Sequence, residues 1–246
     1  MEHQIIDINV DTGEGMGNES LLMPYISSCN IACGGHAGDQ NSMQEVVALA
    51  KKHSVKIGAH PSFPDRENFG RSIVDMSCVA LYTAVKNQIN DLLNILRRAH
   101  VPLHHIKPHG ALYNLAAVDE KTATVIVEVV KALALPTKLY VPYNSVIAQV
   151  AIKNNVEIMY EAFADRNYND DLTLVSRQEH NALITKPEAV FEHVYAMVFH
   201  KKVKTIAGKL VVLKADTFCM HGDHADAVKL VSSLVGRLKA LGYKIR

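Results

Sequence analysis

The chain has 246 residues, 48% of them hydrophobic, with 26 basic side chains against 25 acidic ones. That supports a sizeable core and excludes a charge-rich disordered polymer. A net charge of +1 leaves no electrostatic footprint for nucleic acid or an anionic membrane, so the expected partners are a small molecule or another protein.

No apolar run approaches the ~18 residues of a membrane span. The N-terminal "MEHQIIDINV" lacks the basic-then-apolar pattern of a secretion signal, which predicts a cytoplasmic protein. Cys29, Cys33, Cys78 and Cys219 have no CxxC spacing and read as small apolar residues in a reducing compartment. With no linker, repeat or low-complexity tract, one domain over 1–246 is expected.

In chain order, short β-branched runs alternate with helical patterns. Strands are predicted at Gln4–Asn9, Ser28–Cys33, Val55–Ala59, Leu103–Lys107, Lys138–Pro142, Val156–Tyr160 and Leu210–Ala215. Most are unbroken apolar runs, as in parallel strands covered on both faces. After Asp39, the residues Met43, Val46, Val47 and Ala50 make a helical stripe. A second stripe, with Asp75 as its expected cap, runs through Leu81, Val85, Ile89, Leu92 and Leu96. Further stripes pass through Ile126, Val194 and Val231, and Pro187 sits where a first helical residue would. Seven strands alternating with helices predict a seven-stranded (β/α) barrel rather than an open sheet. "DTGEGMG" is not GxGxxG, and no GxxxxGK[ST] occurs.

In such a barrel, chemistry collects at the C-terminal ends of the strands. Those ends read "DINVDTGEG" (Asn9, Asp11, Glu14), "NIACGGHAGD" (Asn30, His36, Asp39), "IGAHPSFPD" (His60) followed by Arg71, and "IKPHGALYN" (Lys107, His109, Tyr113). They continue with "EAFADRNY" (Glu161, Asp165, Arg166) and "LKADTFCMHGD" (Lys214, Asp216, His221, Asp223). Four of thirteen histidines stand at these ends, so a shared mouth is predicted. Asp39 reads equally as a helix cap and as a ligand contact. Arg71 and Arg166 are candidate anion forks, whereas Arg177 reads as a surface charge. The stretch from Glu161 to Lys186 is long for a βα connection and predicts a lid or partner surface.

Taken together, "DINVDTGEG", "NIACGGHAGD", "IGAHPSFPD…FGR", "KPHGALYN", "FADRNY" and "HGD" resemble the LamB/YcsF family, from about Asp7 to Asp223. The resemblance implies a glycoside hydrolase/deacetylase-like barrel. It also implies one component of an ATP-dependent 5-oxoprolinase, which opens the lactam of 5-oxo-L-proline to L-glutamate with ATP as co-substrate and subunits B and C as partners. Gly35 stands where the family commonly has phenylalanine, which predicts a more open pocket wall. "ENFGRS" lacks the second arginine of the more common "GFGRR".

With no phosphate loop in the sequence, lactam activation is expected on or with the partners, and this barrel supplies the hydrolytic pocket. Asp11 or Glu14 is the candidate base, and His36 or His60 the proton donor or electrostatic stabiliser. Asn9, Asn30, Asp39, Arg71, Lys107, His109, Tyr113, Arg166, His221 and Asp223 are candidate substrate contacts. The alternative is a self-sufficient metal-dependent deacetylase or amidohydrolase, with a divalent metal on Asp11, His36 and His60.

Overall fold

The computed structural model describes residues 5–223 and 226–246. The strands are β1 Ile5–Thr12, β2 Ser28–Ala32, β3 Lys56–His60, β4 His105–Ile106, β5 Lys138–Pro142, β6 Ile158–Phe163, β7 Lys202–Lys204, β8 Leu210–Val212, β9 Thr217–Met220 and β10 Lys244–Ile245. The α-helices are α1 Glu19–Leu22, α2 Gln40–His53, α3 Cys78–Ala99, α4 Gly110–Ala116, α5 Glu120–Leu133, α6 Val146–Lys153, α7 Pro187–Phe199 and α8 Ala227–Ala240.

Strands β1 to β6 and β9 pair in that order, all parallel, and β9 returns to β1 to close a seven-stranded barrel. Strand β10 adds to the outer side of the start of β1. The apolar stripes read from the sequence face inward: α2 buries Met43, Val46, Val47 and Ala50 under a capping box between Asp39 and Ser42. Helix α7 begins at Pro187, as expected.

Three expectations need correcting. The seventh barrel strand is Thr217–Met220, not Leu210–Ala215: Leu210–Val212 instead forms an antiparallel hairpin with Lys202–Lys204, outside the barrel. Lys214 and Asp216 therefore precede the strand rather than follow it, and Asp216 accepts a hydrogen bond from the Tyr160 backbone N–H. The cap of α3 is Ser77, whose hydroxyl accepts from the Ala80 N–H, and not Asp75.

The third concerns Gly35. It opens no pocket wall. A Cβ there would lie 2.7 Å from Gln88 Cδ, because the buried Gln88 amide from α3 holds both the N–H and the carbonyl of Ser62. The volume a larger residue would need is already occupied. Gly35→Ala is expected to cost about 1–3 kcal/mol by overpacking, and clearly less in a Gln88→Ala background. Urea unfolding of the two singles and the double checks this; simple additivity would refute it.

The barrel interior is polar. Asn9 donates to Glu161 and Thr217 at 3.0 and 2.8 Å, and Asn30 donates to Asn9 and Asp11 at 2.7 and 2.8 Å. His105 Nε2 donates to Asn30 Oδ1 at 2.6 Å, and Asp7 accepts from Ser28 and Thr217 at 2.8 and 2.7 Å. Apart from Glu161 Oε2, which is buried without a partner, these polar groups pair with one another inside the barrel, which is what keeps such an interior tolerable.

Candidate functional site

The parallel register delivers the strand ends to one face. Asp11 pairs with Asn30 across β1 and β2, and Ala32 pairs with His60 across β2 and β3. Gly38 lets the loop after β2 fold back, with φ +81° and a Cβ position 2.6 Å from the Ala32 carbonyl oxygen. Above the strand ends lies a cavity of about 440 Å³, lined among others by Asp11, Glu14, His60, Lys107, His109 and His221.

At its floor Lys107, only 2% exposed, reaches Asp11 Oδ1 at 2.9 Å, Glu161 Oε1 at 3.1 Å and Cys219 Sγ at 3.0 Å. Burial opposes charge on both Lys107 and Asp11, but their attraction wins. At Asp11 the nearby His60 and then Lys107 outweigh burial and hold the carboxyl well below its usual range, while Asp11 and Glu161 keep Lys107 protonated. Asp11 Oδ2 is left facing His60 Nε2 at 3.4 Å. Glu14 moves the other way: burial and the nearby Asp11 charge push its carboxyl well up. One mouth thus holds two carboxyl groups with opposed proton affinities, the pattern of acid–base sites.

Beside Asp11, three imidazoles from the ends of β2, β3 and β4 form one block. His36 stacks on His109 with centroids 3.6 Å apart, and His60 meets His109 edge-on at 4.8 Å. His36 Nε2 lies 3.0 Å from Glu14 Oε1. Burial and the adjacent His60 push His36 down to about 2, so it is neutral and a poor proton donor at physiological pH. It also lies behind His109 and does not line the cavity.

Across the cavity, His221 Nδ1 donates to the two oxygens of Asp165 at 2.9 and 3.0 Å. Asp165 also accepts from the His221 backbone N–H at 2.9 Å. Burial alone would raise Asp165, but His221 overrides it and holds the carboxyl at about 2. The imidazole is oriented by a permanent anion, the geometry of a working acid–base histidine.

Arginines ring the rim. Arg71 pairs with Asp223, and Arg177, expected to be a mere surface charge, lines the cavity with its Nη1 3.8 Å from the same carboxylate. Arg166 is buried and donates to the Val175 carbonyl at 2.6 Å, which fixes the loop carrying Arg177. Bridges between Arg166 and Leu183 and between Tyr168 and Leu174 tie together the connection from Glu161 to Lys186, whose residues Leu174 to Gln178 line the mouth.

Of the expected substrate contacts, Arg71, Lys107, His109, Tyr113, Arg166, His221 and Asp223 line the cavity. Asn9 and Asn30 sit beneath it in the barrel interior, and Asp39 caps α2 at an exposed position outside it. His105 carried no expectation, yet it lies two residues before Lys107 within the expected strand Leu103–Lys107, so the alternation of faces in "HHIK" was the available signal. Glu161 and Asp165 stood in the motifs without a role; the structure gives them Lys107 and His221 as partners.

The family model for the LamB/YcsF family matches residues 6–246. The A subunit of a 5-oxoprolinase from Bacillus cytotoxicus is 41% identical over 234 residues, with 93% of each chain covered. Its counterpart from Shouchella clausii is 42% identical over 246 residues, covering 98% of this chain and 97% of the relative. The crystal structure of a lactam utilization protein from Thermus thermophilus superposes with a TM-score of 0.93 at 36% identity, covering 99% of both chains. A "T48 deacetylase with substrate" superposes at a TM-score of 0.50 and 14% identity, covering 99% of this chain and 88% of that one, a likeness of fold alone. Matched along essentially its whole length by sequence and by barrel, the chain belongs to the LamB/YcsF family.

Proposed function

We propose that this protein is the lactam-opening component of a cytoplasmic ATP-dependent 5-oxoprolinase, a single barrel domain over 1–246 that works with subunits B and C. The names of its relatives support the reaction. The observation that carries the assignment is the cavity itself: an ionised Asp11, an Asp165-oriented His221 and a rim of arginines all face one space of about 440 Å³. No described helix is long and apolar enough to cross a membrane, and all four thiols are free, which suits a reducing compartment.

A γ-lactam is a stable amide, so its oxygen must first become a leaving group. Transfer of the ATP phosphoryl group to that oxygen releases ADP; the sequence has no phosphate loop, and we assign this step to the partners. Water then adds to the ring carbon, with Asp11 Oδ2 taking its proton. The C–N bond breaks as His221 donates a proton to nitrogen, leaving an acyl phosphate, which a second water hydrolyses to glutamate and inorganic phosphate. His221 replaces His36 as proton donor because His36 is neutral and walled off from the cavity. Arg71 and Arg177 hold the substrate carboxylate or the phosphate.

The test is reconstitution. Glutamate and ADP should form from 5-oxoproline and ATP only when this chain and both partners are mixed. ATP-driven turnover by the isolated chain would overturn the division of labour. Full turnover by the partners without it would overturn the assignment.

A further inference from the structure

We infer that Glu14, His36, His60 and His109 form a binding site for one divalent transition-metal ion, of the zinc class that imidazole and carboxylate ligands select. One ligand atom from each of the four lies within 4.8 Å of every other. They come from four separate strand ends, so the convergence is a product of the barrel and not of local spacing.

The hydrogen bonds around the rings make the case. His60 Nδ1 lies 2.7 Å from the Lys107 carbonyl oxygen, and His109 Nε2 lies 2.9 Å from the Phe69 carbonyl oxygen. A carbonyl can only accept, so each of these outer nitrogens carries the ring hydrogen. The inner nitrogens, His60 Nε2 and His109 Nδ1, then face each other 2.9 Å apart, with Glu14 Oε1 3.5 Å from His109 Nδ1. A shared proton would serve that pair alone, whereas a cation also serves Glu14 and His36, whose ligand atoms lie in the same cluster. The nearby side-chain cations are turned elsewhere, Lys107 to Asp11 and Glu161 and Arg71 to Asp223 at the rim. An outer nitrogen tied to a backbone carbonyl with the inner one free is also how metal-ligating histidines are usually held.

Two further features agree. Phe69 adopts a left-handed conformation, φ +56°, unusual for a bulky residue. That conformation belongs to the residue whose carbonyl fixes the His109 ring. His36 keeps Nδ1 buried without a partner while Nε2 faces Glu14. This imidazole is held in place although half its hydrogen-bonding capacity goes unused.

The donor set is three nitrogens and one carboxylate, which suits zinc and its neighbours better than calcium or magnesium. Glu14, His60 and His109 also line the cavity, so an ion there would face substrate. It would supply Lewis acidity toward a carbonyl or phosphoryl oxygen. Asp11 is not one of the four: it is engaged by Lys107 and Asn30 and stands alongside. The site differs from the Asp11, His36 and His60 trio that spacing alone brought forward.

The experiment needs no turnover, so its outcome is separable from that of the reconstitution. The intact chain, stripped with chelator, is titrated with zinc by calorimetry and with cobalt by visible absorption. One equivalent per chain is expected, with a cobalt d–d band and a raised melting temperature. His109→Gln and His60→Gln should each lower zinc affinity by more than the roughly 10–100-fold that loss of an outer partner costs. Asp39→Ala, remote from the cluster, should bind like wild type. Circular dichroism establishes that each variant is folded. Folded wild type binding no zinc or cobalt, with nitrogen-15 NMR showing a proton shared between His60 and His109, would overturn the proposal. So would folded His60→Gln or His109→Gln chains that bind as tightly as wild type.

Discussion

Lys107→Met is expected to lower the unfolding free energy by about 3–5 kcal/mol at pH 7, the cost of leaving buried charge without its partner. Methionine keeps most of the length and apolar stem but removes the ammonium group lying between Asp11 and Glu161. Both carboxyls are almost wholly buried, so neither can turn to water. The Asp11 carboxyl, having lost one of the charges that held it down, takes up a proton more readily. The sign of the pH effect follows. In the native protein the Asp11 carboxyl is depressed, so its contribution is present above its unfolded value near 3.8 and fades only as pH falls toward the lower folded value. In Lys107→Met the same carboxyl moves up from that low value, so the lost contribution is largest at neutral pH and shrinks as folded and unfolded chains both become protonated. Urea unfolding at pH 7 and pH 4 should therefore give a smaller deficit at pH 4. A deficit below about 1 kcal/mol, or one equal at both pH values, would mean that Lys107 is not the charge partner described.

The second large effect falls on catalysis. Asp11→Asn should reduce glutamate formation by the complete enzyme by about 10²–10⁴-fold, the usual worth of a positioned acid or base. Asparagine can keep an oxygen toward Lys107 and Asn30, at 2.9 and 2.8 Å in the native protein. The opposite atom then becomes an amide nitrogen facing His60 Nε2 across 3.4 Å. The group that took a proton from water can no longer do so, while the volume is almost unchanged. Co-elution with subunits B and C on gel filtration should be retained, which separates chemistry from assembly. Activity within tenfold of wild type in an assembled complex would make this chain a scaffold.

Six of the seven barrel strands were legible because each is a buried run between turn residues. The seventh was misplaced because "LVVLKA" is more apolar than "TFCM". Leu210 and Val212 are nevertheless exposed on the outer hairpin, while the polar Thr217 is wholly buried beside Asn9 and Asp7. Hydropathy ranks such segments wrongly wherever a barrel interior is lined with hydrogen bonds. The strand-end rule brought Asp11, Glu14, His60 and His109 to one mouth, and they do share it. At Asp39 the structure shows the capping reading of the two the sequence offered, and Arg177 went unplaced because its loop has no periodicity. The carbonyl partners of His60 and His109 had no sequence signal, since every residue carries a carbonyl.

The hydrogen-bonded axis of the barrel affects how mutational surveys of this protein should be interpreted. Asn9, Asn30, His105 and Thr217 support one another and are all fully buried. An apolar replacement at any one of them strands a neighbour's donor or acceptor. Each would score as indispensable although none borders the cavity, and drift at these positions would have to proceed in coordinated pairs. Inactivity after changing one of them is therefore no sign that it meets the reactant.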